Sequence, residues 1–149
     1  MASDKIIASL DEILGLIPQK PPVVMIDRLL YIDKVKTVAG LLISKDNIFC
    51  FNGMFREAGL IESIAQTAAV SVGYHYNKAG KKAPIGYIGS INRLHIHTLP
   101  AVNTLLTIEI INEYEVLDFS IIRGKVYDND TIFAECEMKI FLKKEGNDV

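Results

Sequence analysis

The chain has 149 residues, of which 50% are hydrophobic and 23% are charged, and a formal net charge of -2 at pH 7. This size and composition predict one globular domain over residues 1–149, with enough core to fold without disulfides or metal. The sequence has no basic block, no apolar run of about 18 residues and no signal-peptide pattern, so we expect a soluble cytoplasmic protein that binds neither nucleic acid nor membrane.

A short amphipathic helix is predicted near the N-terminus. Ser3 can cap it, apolar residues recur at helical spacing over residues 5–17, and Pro18 ends it. We expect this helix to pack over one end of the core.

Two strands and a connecting segment come next. The β-rich runs 23–33 and 36–44 are separated by a predicted turn at 33–35. Residues 45–57 show no clear period, although Asn52-Gly53 predicts a turn within them. Because this segment is rich in phenylalanine, we expect it to fold back onto the element that follows.

That element is the only long helix predicted in the chain, over residues 58–77. Apolar or small residues cover most of its circumference, which is typical of a buried helix. Glu62 and Gln66 are four residues apart and therefore share one face. The rest of the chain is predicted to form a sheet wrapped around this helix.

The second half of the chain is predicted to be almost entirely β-structure. The predicted strands cover residues 85–92, 94–98, 104–115, 117–127 and 131–143. His95 and His97 share one face of their strand, and Asp128-Asn129-Asp130 predicts a hairpin between the last two strands. One long helix with a curved antiparallel sheet is an α+β architecture.

Several familiar kinds of site have no counterpart in the sequence. There is no phosphate-binding glycine loop, no dinucleotide fingerprint and no nucleophile elbow. Cys50 and Cys136 are far apart, which suits a reducing compartment, and neither has an activating base nearby. The three histidines, His75, His95 and His97, lack metal-ligand spacing with either cysteine, so we expect no metal and no cofactor.

Glu62 is therefore the candidate catalytic residue. A carboxyl group on a buried helix is either paired with another group or used in proton transfer. The start of the helix, around Gly59, is expected to supply unpaired backbone N–H groups that can hold a carbonyl oxygen. From the residues alone, a structural role and a catalytic role for Glu62 are equally well supported.

Three stretches of the sequence match the motifs of one known family. Ile17-Pro18 with Val24-Met25-Ile26-Asp27-Arg28 is similar to its opening motif, and Glu62-Ser63-Ile64-Ala65-Gln66 matches its Glu-x-x-Ala-Gln on the central helix. Ile88-Gly89-Ser90-Ile91-Asn92-Arg93 followed by Pro100 resembles the strand that lines its acyl tunnel. The sequence thus resembles the hot-dog-fold 3-hydroxyacyl-(acyl-carrier-protein) dehydratases of fatty acid synthesis, which implies a hot-dog fold.

The resemblance covers roughly residues 16–143 but departs at the catalytic motif. The family carries Gly-His-Phe-Pro ahead of its helix, and this His transfers the proton, whereas the aligned residues here are Gly53-Met54-Phe55-Arg56. Methionine cannot transfer a proton, and losing such a group typically costs about 10²- to 10⁴-fold in rate. His75 cannot replace it, because 13 residues separate it from Glu62, about 20 Å along a helix.

The activity implied by the resemblance is a hydro-lyase reaction of lipid metabolism that removes water from a 3-hydroxyacyl thioester. Glu62 would help the hydroxyl group to leave. The residues that would bind the substrate are Met54, Phe55, Gly59, Gln66, Ile88 and Gly89. The implied partners are an acyl carrier protein or CoA thioester, and a second chain, because this family builds its site across a dimer.

The missing His leaves two assemblies open, a homodimer or higher oligomer and the His-less half of a heterodimer with a His-bearing homologue. The sequence also resembles the divergent dehydratase-like proteins of aryl-polyene and flexirubin-type pigment pathways. A non-catalytic module that binds acyl chains or carrier protein is the alternative that Met54 favours. A thioesterase, in which Glu62 would activate water, fits the Glu-x-x-Ala-Gln motif less well.

Overall fold

The computed structural model describes residues 5–143. Its elements in chain order are β1 (Ala8–Ser9), α1 (Leu10–Leu14), β2 (Arg28–Ile32), β3 (Lys36–Leu42), β4 (Cys50–Phe51), β5 (Met54–Phe55), α2 (Glu57–Lys78), β6 (Ile85–Ile96), β7 (Leu105–Val116), β8 (Phe119–Asp128) and β9 (Thr131–Lys143). Neither of the described helices is long and apolar enough to cross a membrane.

Seven strands form one antiparallel sheet in the order β1-β2-β3-β7-β8-β9-β6. β6 follows α2 in the chain, but its partner among the described residues is β9, so β6 forms one edge of the sheet. β4 and β5 form a separate hairpin just before α2. The predicted α+β arrangement, one long helix against a large antiparallel sheet with a short N-terminal helix, is confirmed.

α2 packs against the inner face of this sheet. Leu60, Ile64 and Val70 are 0% exposed and belong to one core together with inward-facing residues of β7, β8 and β9. The fit is tight where α2 crosses β8, because a Cβ atom at Gly124 would lie 2.4 Å from the Ile64 side chain. The helix begins and ends one residue outside the predicted range 58–77.

The N-terminal helix is shorter than the predicted range 5–17. α1 covers Leu10–Leu14, and Ser9 caps it in a reciprocal pair with Glu12, while Ser3 lies outside the described residues. Just before the cap, Ala8 pairs with Leu29 of β2. The pairing with β2 therefore overrides the helical spacing of the residues that precede Ser9.

Three strand predictions also need correction. Within the run 23–33, the strand begins only at Arg28, because the Met25 N–H donates to Gln66 Oε1 on α2 rather than to a neighbouring strand. The aperiodic segment 45–57 contains the β4–β5 hairpin, with the expected turn at Asn52 and Gly53, whose φ angles are 51° and 77°. The two runs 85–92 and 94–98 are one strand, β6, with two irregularities in its pairing to β9.

Candidate functional site

A cavity of about 900 Å³ lies between α2 and the sheet. One stripe of α2 lines it, formed by Glu62, Ala65, Ala69, Val72 and Tyr76, which are three or four residues apart and share one helix face. Across from the helix, the lining includes four isoleucines of the sheet, Ile88, Ile110, Ile122 and Ile140. The helix advances about 21 Å from Glu62 to Tyr76, so a carboxyl group stands at one end of a long groove. The lining of this groove is mainly apolar, although it includes the polar residues Thr37, Ser71, Asn112 and Ser120.

The far end of the groove is polar. Its lining includes Asp33, His75 and Lys82. Hydrogen bonds lower the pKa of Asp33. The Tyr31 hydroxyl donates to the Asp33 carboxylate at 2.6 Å, and backbone N–H groups that follow Asp33 in the chain also donate to it. His75 Nε2 lies 3.3 Å from the Asp33 carbonyl oxygen. The groove thus separates His75 from Glu62, and the histidine is not placed to exchange a proton with that carboxyl group.

Gln66 holds Glu62 in place. The Gln66 side chain is 0% exposed and its Nε2 donates to Glu62 Oε1 at 2.8 Å and to the Val23 carbonyl oxygen at 2.9 Å. Its Oε1 accepts the Met25 N–H at 2.6 Å. The opening motif and the helix motif therefore meet at Gln66, which fixes one oxygen of a half-buried carboxyl group whose residue lines the cavity.

The residues at the start of α2 have a packing role in this structure. Phe55 is 0% exposed, and a Cβ atom at Gly59 would lie 2.5 Å from its ring. The N–H groups of Gly59 and Leu60 donate to the Arg56 carbonyl oxygen at 3.0 and 3.2 Å. The prediction of an unpaired N–H group at Gly59 is therefore wrong for this state of the chain.

Of the predicted site residues, Glu62 and Ile88 both line the cavity. Met54, in the partly exposed β5, pairs with Phe51 and bridges to Ala101. Neither Met54 nor Gly89 is part of the cavity lining among residues 5–143. Gly89 instead makes room for the Phe141 ring, which would lie 2.4 Å from a Cβ atom at that position.

His95 and His97, which were predicted to share one strand face, form a cluster with Glu135, and only the contact with Glu135 was not predicted from the sequence. His97 Nε2 lies 2.8 Å from Glu135 Oε2, and the His95 and His97 rings stack at 6.2 Å. Glu135 is 38 residues from His97 in sequence. Only its place on the solvent-facing side of the last predicted strand could have suggested this contact. Within residues 5–143, no group of three or more His, Cys, Asp or Glu residues is arranged to hold a metal ion.

Comparison with known proteins gives one family. The sequence model of the ApeP-like family, described as ApeP dehydratase, matches residues 11–149. The chain is also 30% identical over 90 residues to the 3-hydroxyacyl-(acyl-carrier-protein) dehydratase FabZ of Clostridium botulinum. That alignment covers 56% of this chain and 60% of the relative, so the chain spans less than two thirds of the length of this curated relative.

Solved structures share the fold. The dehydratase heterocomplex ApeI:P from Xenorhabdus doucetiae superposes with a TM-score of 0.81 at 14% identity, over 89% of this chain and 91% of that chain. A hypothetical thioesterase with coenzyme A from Streptococcus pneumoniae superposes with a TM-score of 0.63 at 9% identity, over 77% and 84%. At these identities the likeness concerns the fold alone, and it confirms the prediction of a hot-dog fold.

Proposed function

Because the chain belongs to the ApeP-like dehydratase family, we propose that it is the carboxylate-bearing subunit of a two-chain dehydratase acting on 3-hydroxyacyl thioesters. The observation that carries the proposal is the position of Glu62, which lines the cavity and is held by Gln66. A carboxyl group fixed at one end of an apolar groove is suited to proton transfer on a bound acyl group. Met54 stands where the family's motif has its proton-transferring His, so the second proton-transferring group of the proposed site belongs to the partner chain.

In the proposed reaction, an imidazole of the partner removes a proton from C2 of the substrate. The C3–O bond breaks, the C2–C3 double bond forms, and Glu62 gives its proton to the departing hydroxyl group, which leaves as water. The imidazolium then returns the proton to the Glu62 carboxylate. The two groups must approach opposite ends of the same C2–C3 unit, so the partner has to reach into the cavity.

β6 is the element of this chain that fits such a partner. It is a twelve-residue edge strand, and Ile88, Ile91 and Leu94 on it are 44%, 36% and 39% exposed. An edge of this length, with free hydrogen-bonding groups and exposed apolar side chains, is a template for pairing with another chain. Residues 85–88 of the same strand also line the cavity, so a chain that pairs with β6 would border the cavity that Glu62 lines.

The proposal also names the carrier of the thioester, the partner chain and the cellular compartment. The likeness to FabZ, a 3-hydroxyacyl-(acyl-carrier-protein) dehydratase, supports an acyl carrier protein as the carrier of the thioester and a role in fatty acid biosynthesis. The likeness to ApeI:P, a dehydratase heterocomplex, supports a heterodimer with a homologue that keeps the His. Cys50 and Cys136 are free thiols, which fits the cytoplasm.

The test is an assay for the enoyl product with a 3-hydroxyacyl carrier-protein substrate. It compares the chain, a His-bearing homologue and their mixture. We expect the activity of the mixture to exceed the summed activities of the two separate chains. Glu62→Gln in this chain should lower this additional activity by at least about 10²-fold, while the complex still assembles. The matched control is Glu57→Gln, a change of an exposed glutamate on the same helix, and full activity of the Glu62→Gln mixture would overturn the proposal.

The second candidate is a non-catalytic module that binds acyl chains or carrier protein, favoured by Met54. It predicts that the mixture gains no dehydratase activity, while the chain still binds the acyl thioester. Calorimetric titration of the chain with that thioester distinguishes this outcome from a protein that has lost the site altogether.

A further inference from the structure

The groove beside α2 has an uneven profile along its length. Between Glu62 and Val72, the helix presents only small side chains to it, namely Ala65, Ala68, Ala69 and Ser71. Ala65 and Ala69 are the two that lie on the stripe. Both are half-buried, and the methyl group of alanine leaves the space between the helix and the facing isoleucines open. At the far end, charged residues and Tyr76 replace this apolar lining.

We propose that Ala65 and Ala69 determine how far an apolar acyl chain extends from Glu62, and therefore which chain lengths the protein accepts. This inference rests on the proposed function for the position of the thioester at Glu62. From Glu62, Ala65 lies about 4.5 Å and Ala69 about 10 Å along the helix. A side chain enlarged at either position would block the groove at a known depth.

The apolar character of the groove decides which part of the substrate enters it. Along the stripe itself, no side chain between Ala65 and Val72 can form a hydrogen bond, and the polar side chains of the lining, which include Ser71, Thr37, Asn112 and Ser120, lie outside it. A carrier arm contains amide groups, and their burial there without partners would be unfavourable. An alkyl or polyene chain has no such groups, and each methylene buried in the groove strengthens binding by about fourfold. An apolar chain is therefore the better occupant.

The experiment is a titration of the full-length chain with N-acetylcysteamine thioesters of saturated acids, from butanoyl to hexadecanoyl. For the unmodified protein we expect the affinity to rise about fourfold per methylene until the chain reaches the polar end of the groove. Ala69→Leu should end this rise at a shorter chain, and Ala65→Leu at a still shorter one, while the shortest thioesters bind as before.

Two further variants guard against a trivial explanation. Ala79→Leu makes the same change at the exposed end of α2 and should leave the whole series unchanged. Val72→Ala removes atoms from the groove and should let the rise continue at least as far as in the unmodified protein. Circular dichroism and thermal unfolding check that each variant is folded.

The inference is overturned if Ala65→Leu and Ala69→Leu bind every thioester like the unmodified protein, or weaken all of them equally. None of these titrations requires turnover. If affinity depends on chain length as expected but the mixture with the His-bearing homologue is inactive, only the proposed function is contradicted. If the mixture is active but affinity does not depend on chain length, only this inference is contradicted.

Discussion

Gln66 joins two separate parts of the chain, α2 and the connector that precedes β2, through one buried amide group. It contacts Glu62 on α2 and the backbone of Val23 and Met25 in the connector that leads to β2. Gln66→Leu keeps the approximate size of the side chain but leaves a buried N–H and a buried carbonyl without their partner. Each such group costs about 1–3 kcal/mol, so we expect the free energy of unfolding to fall by roughly 2–5 kcal/mol.

The matched control for Gln66→Leu is Ser63→Ala, one turn earlier on the same helix. Ser63 is equally buried, but its hydroxyl donates only to the Leu60 carbonyl oxygen, so its removal should cost less than about 1.5 kcal/mol. Urea titrations of both variants measure the difference. Equal losses would show that Gln66 is no more than an ordinary buried polar residue.

Gly59 tests the packing at the start of α2. Alanine is the better helix former by about 1 kcal/mol, yet a Cβ atom here would lie 2.5 Å from the Phe55 ring and 2.9 Å from Phe49 Cβ. We expect Gly59→Ala to destabilise the protein by about 1–3 kcal/mol. Gly15→Ala is the control, because a Cβ atom at this position would make only an ordinary contact at 3.5 Å. We expect this substitution to be neutral or stabilising in the same thermal melts.

Among the elements, β6 carries the prediction about assembly. Ile91 pairs with the fully buried Met138 of β9, and yet it is 36% exposed. Because a charge buried between two chains is costly without a partner, Ile91→Lys should prevent association with the His-bearing homologue, and also self-association, in light-scattering measurements. The control is Leu105→Lys, at a residue on β7 that is 51% exposed, and this variant should assemble normally. If both variants associate, β6 is not the strand that binds the second chain.

The sequence predicts elements well where one local signal dominates. The long helix was predicted to within one residue at each end, since its buried circumference and its length leave no alternative. The β8–β9 hairpin was predicted from its polar turn residues, and Asn129 there has a φ angle of 37°. Glu62 and Gln66 were predicted to share a face because helical spacing alone requires it.

The failures occur where a distant partner decides the structure. Ala8 is drawn into the sheet by Leu29, and Met25 is held by Gln66, 41 residues away. No periodicity in the sequence records such pairs. The same holds for the His97–Glu135 contact, and for the Arg56 carbonyl oxygen that occupies the N–H groups of Gly59 and Leu60. The role of Met54 stays a prediction, because its presumed partner belongs to another chain.

At the scale of the whole molecule, the question is whether one site uses two chains. Met54→His restores the family's missing group, so we expect this variant alone to gain dehydratase activity if two copies associate through β6. Combining Met54→His with Glu62→Gln in one chain should remove that activity again. A mixture of this double variant with the unmodified chain should regain part of it, because one chain then supplies the imidazole and the other the carboxyl group.

The same enoyl-product assay measures all three preparations. Activity of Met54→His without any rescue of the double variant by the unmodified chain would place both groups in a single chain. No activity in any preparation, with the variants folded and associated, would show that more than the imidazole has been lost from this subunit.

The strand order also sets when the partner surface comes into existence during synthesis. β6 leaves the ribosome directly after α2, but its neighbour in the sheet is β9, which follows only after β7 and β8. Until β9 is made, β6 has no strand of its own chain to pair with and is exposed to wrong partners. The surface proposed for the second subunit is therefore finished last, when β9 (Thr131–Lys143) has joined the sheet beside β6.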